Sequence, residues 1–336
     1  MQRREFLAGL AAIGASTLVP DALTSAQTRP AETPFRIDVH NHGNSPGFIA
    51  AIKAHNTGQT ALMNWTPAKA LEDMDRDRVA TVILSTSEPS VHFGDAAAAR
   101  ALARECNEYF ARLVSDRPTR FGMFATLPLP DVEGTLREIE YAFGPLKADG
   151  ACFMSSYEGK YLGDPAFARV MDELNRRKAV CYTHPFRGGM INMLPEGRAL
   201  GITLSTETTL TIQSILYTNT ATRCPDIRFI WSHGGGTAPY ITSRLGAAVG
   251  PDGKPNANLS ALQKFYYDTA QAFNPYTLAT FTRVVPMSHI LFGTDYPFAQ
   301  ASTVAKGLAD FGFTPADLRA IERDNALELF PRLKRT

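Results

Sequence analysis

Histidine is used only seven times in this chain of 336 residues, and four of the seven close short apolar runs. His40 and His42 end the run Ile37-Asp38-Val39-His40-Asn41-His42, His184 follows Cys181-Tyr182-Thr183, and His233 follows Ile230-Trp231-Ser232. Asp295 stands in the same relation to Phe292-Gly293-Thr294. Residues two apart on a strand point to one face, so His40 and His42 can reach the same ion. Three neutral imidazoles and one carboxylate make a donor set for a single divalent metal, with a position open for water or substrate. Zinc is the first expectation for three imidazoles, and manganese the second because a carboxylate completes the set.

Two reactions suit such a group. An ion that fixes a carboxylate and a neighbouring oxygen lets a small aromatic or vinylogous acid lose CO2 once a proton reaches the carbon concerned. Asp295 or His233 can deliver that proton. The alternative is hydrolysis, in which His233 or Asp295 acts as general base for a metal-activated water attacking a lactone, ester or amide.

These five residues must be brought to one place from positions 40 to 295. Strand-like apolar runs occur at 35–39, 80–85, 121–126, 150–154, 179–183, 228–232, 265–267 and 290–293. Helical segments lie between them, among others at 67–78, 96–115, 132–147, 165–177, 206–222 and 275–284. Asp131, Asp164-Pro165, Asn274-Pro275 and Thr314-Pro315 are helix-start signals. Short apolar strands alternating with helices imply a parallel sheet covered on both faces. Eight of them predict an α/β fold, a closed (β/α)8 barrel. An open doubly wound sheet would need a glycine-rich dinucleotide fingerprint, and Gly234-Gly235-Gly236 is too short for one. In a parallel barrel all strand C-termini open on one rim, where active sites lie, so the five residues converge. His92, in the loop after the second strand, can line the same pocket. Phe93, Phe186, Tyr296, Phe298 and Trp65 can sandwich a planar ring or simply pack as core. Asp38 shares the face of His40 and His42 and can orient a ligand.

A net charge of +1 leaves no electrostatic footprint for nucleic acid or an anionic membrane surface. No apolar run reaches the ~20 residues of a membrane-spanning helix. Residues 1–26 read as an export signal: Arg3-Arg4, then Phe6-Leu7, an apolar stretch to Val19, and small residues at 24–26. The paired arginines are of the twin-arginine type, which carries folded proteins to the periplasm. Residues 27–336 then form one barrel domain. The four cysteines form no CxxC pair and are expected as buried free thiols, since such a protein folds before export.

In its motifs the chain resembles the metal-dependent decarboxylase branch of the amidohydrolase superfamily, the aminocarboxymuconate-semialdehyde decarboxylase-like proteins. The resemblance is carried by IDVHNH (37–42), YTHP (182–185), SHGGG (232–236) and FGTDYPF (292–298). Longer stretches at 120–139, 147–167 and 173–185 are similar to the 6-methylsalicylate decarboxylase group. The resemblance implies an amidohydrolase-type barrel with one divalent ion held by His40, His42, His184 and Asp295, and His233 as the catalytic histidine beside it. It implies decarboxylation of a hydroxybenzoate of the 6-methylsalicylate kind. The fourth strand run ends Cys152-Phe153-Met154-Ser155, without the lysine of binuclear relatives, which favours a single ion. Arg244 matches, by its spacing after His233, an arginine that reaches the substrate carboxylate of a neighbouring subunit, and so implies a homodimer; the alternative is a solvated arginine. Arg187 lies where the sequence after His184 departs from the usual form, and it can add a carboxylate contact. His92 and Phe298 complete the expected substrate site.

Overall fold

Strands buried on both faces need apolar side chains on both, which is why these runs are continuous rather than alternating. The computed structural model describes residues 35–187 and 194–335. In it β1 (Arg36–His42), β2 (Val79–Ser85), β3 (Phe121–Thr126), β4 (Gly150–Met154), β5 (Val180–His184), β6 (Arg228–Trp231), β7 (Tyr266–Asp268) and β8 (Ile290–Leu291) form one sheet in that order. All neighbouring pairs are parallel. The expected export signal at 1–26 lies outside the described residues.

The sheet closes on itself just past β8. Val39 N–H donates to the Phe292 carbonyl (3.0 Å), Asp295 N–H to that of His40 (2.9 Å) and His42 N–H to that of Tyr296 (2.8 Å). Asp38 fastens the same seam. Its buried carboxylate accepts from Thr294 Oγ1 (2.7 Å), Thr294 N–H (3.1 Å), His40 N–H (3.0 Å) and Asn41 Nδ2 (3.1 Å). Asp38 therefore orients the backbone of His40 rather than the imidazole of a ligand. The barrel interior is packed, with Phe124 stacked on Tyr182 at 5.2 Å and the edge of Tyr182 against His40 at 5.3 Å.

The start signals act as caps. Asp131 accepts from Gly134 N–H, Asn274 from Thr277 N–H, and Thr314 with Asp317 forms a full capping box. Two helices differ most from expectation. The helix expected at 132–147 stops at Phe143, where Gly144 caps it. The one expected at 206–222 runs from Leu200 to Tyr217, and Asn219 in the left-handed region (φ 57°) separates it from a short turn, Thr220–Arg223. Gly201 weakens the sequence signal for the first turn, which is largely exposed, yet the helix runs through it.

All four cysteines are buried and free, and burial pushes the Cys106 thiol up to about 12. Among the described residues no helix is long and apolar enough to cross a membrane. Lys160 sits on the exposed tip of a two-residue ladder after β4.

Gly293, at the closing seam, has no room for a side chain: a Cβ there would stand 2.9 Å from His40 Cβ and 2.7 Å from Asp268 Cβ. Gly293→Ala should therefore cost about 1–3 kcal/mol by overpacking, read as a lowered Tm in thermal denaturation. An unchanged Tm would show that β1 and β7 can yield there.

Candidate active site

Strand geometry delivers the ionisable residues. His40 and His42 project from β1, His184 ends β5, His233 follows β6 and Asp295 follows β8. The last two adopt left-handed backbones, φ 54° at His233 and φ 66° at Asp295, conformations that cost ordinary residues about 1–3 kcal/mol. The turn after β6 needs its glycines: a Cβ on Gly235 would meet the Tyr267 ring at 2.7 Å.

Asp295 is the hub. Its Oδ1 lies 3.0 Å from His42 Nε2, 3.1 Å from His40 Nε2 and 3.9 Å from His184 Nε2. Its Oδ2 lies 3.3 Å from His233 Nε2. The far nitrogens are tied down. His40 Nδ1 meets Asp268 Oδ2 at 2.8 Å, His184 Nδ1–H donates to the Pro185 carbonyl at 2.9 Å, and His42 Nδ1 lies 3.4 Å from Ser85 Oγ. Such bonds fix the tautomer and turn the Nε2 lone pair toward the centre.

The donors of His40, His42, His184 and Asp295 lie within 4.8 Å of one another, and all four residues are buried. Three imidazole lone pairs and a carboxylate oxygen repel one another unless a cation stands among them. His40 Nε2 is buried and lacks a well-formed hydrogen bond although Asp295 is near. This donor set fits one divalent ion.

Electrostatics point the same way. Burial opposes a charge on His40, but Asp268 and Asp295 outweigh it and raise the imidazole to about 10. Burial would raise Asp295, yet facing His40, His184 and His233 hold it well below the usual carboxylate range. Burial lowers His184 to about 4, leaving it a neutral donor.

Asp268 is the functional residue that sequence reasoning missed. Fully buried, it holds His40 through Oδ2, while its Oδ1 accepts from His233 N–H (2.9 Å) and Ala270 N–H (3.0 Å). The signal was present, for it is an acid at the end of a strand, one residue past the run at 265–267.

A cavity of about 360 Å3 has His184, His233, Asp295 and Phe298 in its wall. Phe298 also sets its ring edge against His42 at 6.1 Å. The other expected substrate residues stand elsewhere. His92 is not in the wall; its Nε2 lies 3.1 Å from Glu158 Oε1, on the ladder after β4, and that contact holds the ring aside. Arg187 is bound to Glu88, its guanidinium on Oε1 and its N–H on Oε2 (2.9 Å), so its charge is already partnered. Arg244 is exposed on the Thr242–Leu245 turn and outside this cavity. Trp65 and Phe186 pack in or against the core, Phe93 stacks on His55 at 4.3 Å, and Tyr296 donates to Asp73 at 2.7 Å.

Residues 37–332 match the family described as Amidohydrolase. The chain belongs to the amidohydrolase family. Among its relatives, a decarboxylase of Aspergillus niger is 35% identical over 325 residues, covering 89% of this amidohydrolase and 88% of that protein. The 6-methylsalicylic acid decarboxylase of Aspergillus aculeatus is 36% identical over 330 residues, covering 90% and 97%. The solved structure of a dihydroxybenzoic acid decarboxylase from Polaromonas sp., with bound manganese and 2-nitroresorcinol, shares the fold of this amidohydrolase. Its TM-score is 0.76 at 22% identity, over 90% of this chain and 98% of that one.

Asp268→Asn should lower metal affinity about 10- to 100-fold by loosening His40, as measured by chelator competition. Unaltered affinity would show that Asp268 serves packing alone.

Proposed function

We propose that this amidohydrolase removes CO2 from a small aromatic carboxylic acid, a hydroxybenzoate of the 6-methylsalicylate kind. The reading rests on the meeting of His40, His42, His184 and Asp295 in one buried cluster, of which His184 and Asp295 line a cavity that also holds His233 and Phe298. It is supported by the decarboxylases among its relatives. A divalent ion on these four residues would bind the carboxylate and the adjacent ring oxygen and offset their charge. Zinc suits three imidazoles, while the Polaromonas decarboxylase contains manganese, so metal analysis of the purified protein decides between them.

Phe298 offers an aromatic edge to a planar ring. His233 Nε2 and Asp295 Oδ2 lie 3.3 Å apart, and a proton held at this pair can serve as the acid of the reaction. Transfer from this pair forms the new carbon–hydrogen bond at the carbon bearing the carboxylate. The bond to the carboxyl group then breaks, CO2 leaves, and the electron pair restores the aromatic ring. Asp268 keeps His233 in place through its backbone N–H.

Two further proposals concern the protein's setting. We propose export in the folded state by the signal at 1–26, a reading supported by Arg3-Arg4 and by the absence of any disulfide among the four buried cysteines. We also propose a homodimer in which the exposed Arg244 meets the neighbouring subunit; light scattering gives its mass directly.

The test is metal content and CO2 release from the protein offered a panel of hydroxybenzoates. His184→Ala should lose both the ion and the activity. His233→Asn, in a residue that tolerates the left-handed backbone, should keep the ion and lose about 10²- to 10⁴-fold in rate. Bound metal with no CO2 from any acid, and turnover of a lactone or amide instead, would overturn the assignment in favour of hydrolysis.

A further inference from the structure

The loop after β2 gives the cavity a polar patch that the chemistry above does not use. Ser87 is fully buried, lies in the cavity wall, and its hydroxyl has no partner among the described residues. Buried hydroxyls are normally satisfied, and leaving one unmade is costly, so a ligand group in the cavity would supply what the protein does not. Beside it Glu88 is also buried and in the wall, and Arg187 holds both its oxygens in place. A fixed carboxylate next to a free hydroxyl selects the chemistry of what enters. A carbonyl or carboxylate could accept from Ser87 but would find only acceptor oxygens on Glu88, and a methyl group would leave Ser87 unpaired. A hydroxyl satisfies both, because it can accept from Ser87 Oγ and donate to Glu88. Elsewhere in the wall Leu200, Gly201 and Leu204 offer no hydrogen-bonding side chain, whereas Gln59, Ser205 and Gln271 do.

We infer that Ser87, set beside the Arg187-held Glu88, is a specificity-determining residue that binds a ring hydroxyl of the substrate other than the oxygen next to the carboxylate. The inference rests on the decarboxylase reading for the placing of that carboxylate at the metal donors. It makes a second hydroxyl, at the position facing Ser87, worth more to this enzyme than an alkyl group there.

The experiment compares the metal-loaded full-length protein with its Ser87→Ala variant on salicylate and on the 2,3-, 2,4-, 2,5- and 2,6-dihydroxybenzoates. CO2 release gives kcat and KM, and titration calorimetry gives Kd for the same acids. In the wild type one dihydroxy isomer should be favoured over salicylate. In the variant that ratio of kcat/KM values should fall about tenfold, the loss of one neutral hydrogen bond, and the fall should lie in KM rather than kcat. A ratio unchanged by the substitution, or a wild type that prefers salicylate over every dihydroxy isomer, would overturn the inference while CO2 release upholds the decarboxylase. If no acid yields CO2, the Kd ratios still judge Ser87: a preference present in the wild type and lost in the variant supports it, and equal ratios overturn it.

Discussion

Four electron-rich atoms, one of them on Asp295, face one another, and without a cation among them, a proton or a metal ion, they would be driven apart. Imidazole lone pairs and a carboxylate oxygen at 3.0–3.9 Å repel in the absence of positive charge. The barrel supplies the restraint. Packed β1 and β5 fix three of the histidines, the seam between β1 and β8 fixes Asp295, and the Nδ1 partners prevent the rings from turning. The rest of the molecule can be understood as the framework that makes this cluster tolerable. The left-handed backbones at His233 and Asp295 are local consequences of forcing side chains inward just beyond the ends of strands.

Two carboxylates divide the labour. Asp295 faces the histidines directly, whereas Asp268 acts from behind, on the ring of His40 and the backbone of His233. One buried acid thus ties the ring of His40 to the backbone of His233. Asp38, a third acid nearby, has no part in the cluster and instead joins β1 to Thr294. Position relative to the strand decides among these roles. Asp38 is inside β1 and meets backbone, while Asp268 and Asp295 stand at strand ends and meet imidazoles.

Much of this was legible before any coordinates. Apolar runs with period-free burial located the eight strands, and the ionisable residues at their ends located the cluster, because strand ends of a parallel barrel share one rim. What escaped depends on contacts made at long range. Asp268 was overlooked because β7 is only three residues long and its last residue is charged. His92 and Arg187 were read as free to meet a substrate; Glu158 and Glu88, distant in sequence, reach them first. Helix ends were blurred where a glycine tolerated the helix, as at Gly201, or an asparagine turned left-handed, as at Asn219.

The seam between β1 and β8 has a consequence for the order of assembly. Two of the imidazoles are carried near the start of the described chain and the carboxylate near its end, a separation of 253 residues between His42 and Asp295. A growing polypeptide can complete strands one to seven without possessing the binding set. Loop closure over such a span must be paid in entropy before the contact rewards it, and topologies of this kind fold slowly. An ion that recognises only the closed ring then stabilises the finished protein by mass action and ignores every truncated or half-wound form. Occupancy of the cluster is therefore also a record that the last strand has met the first.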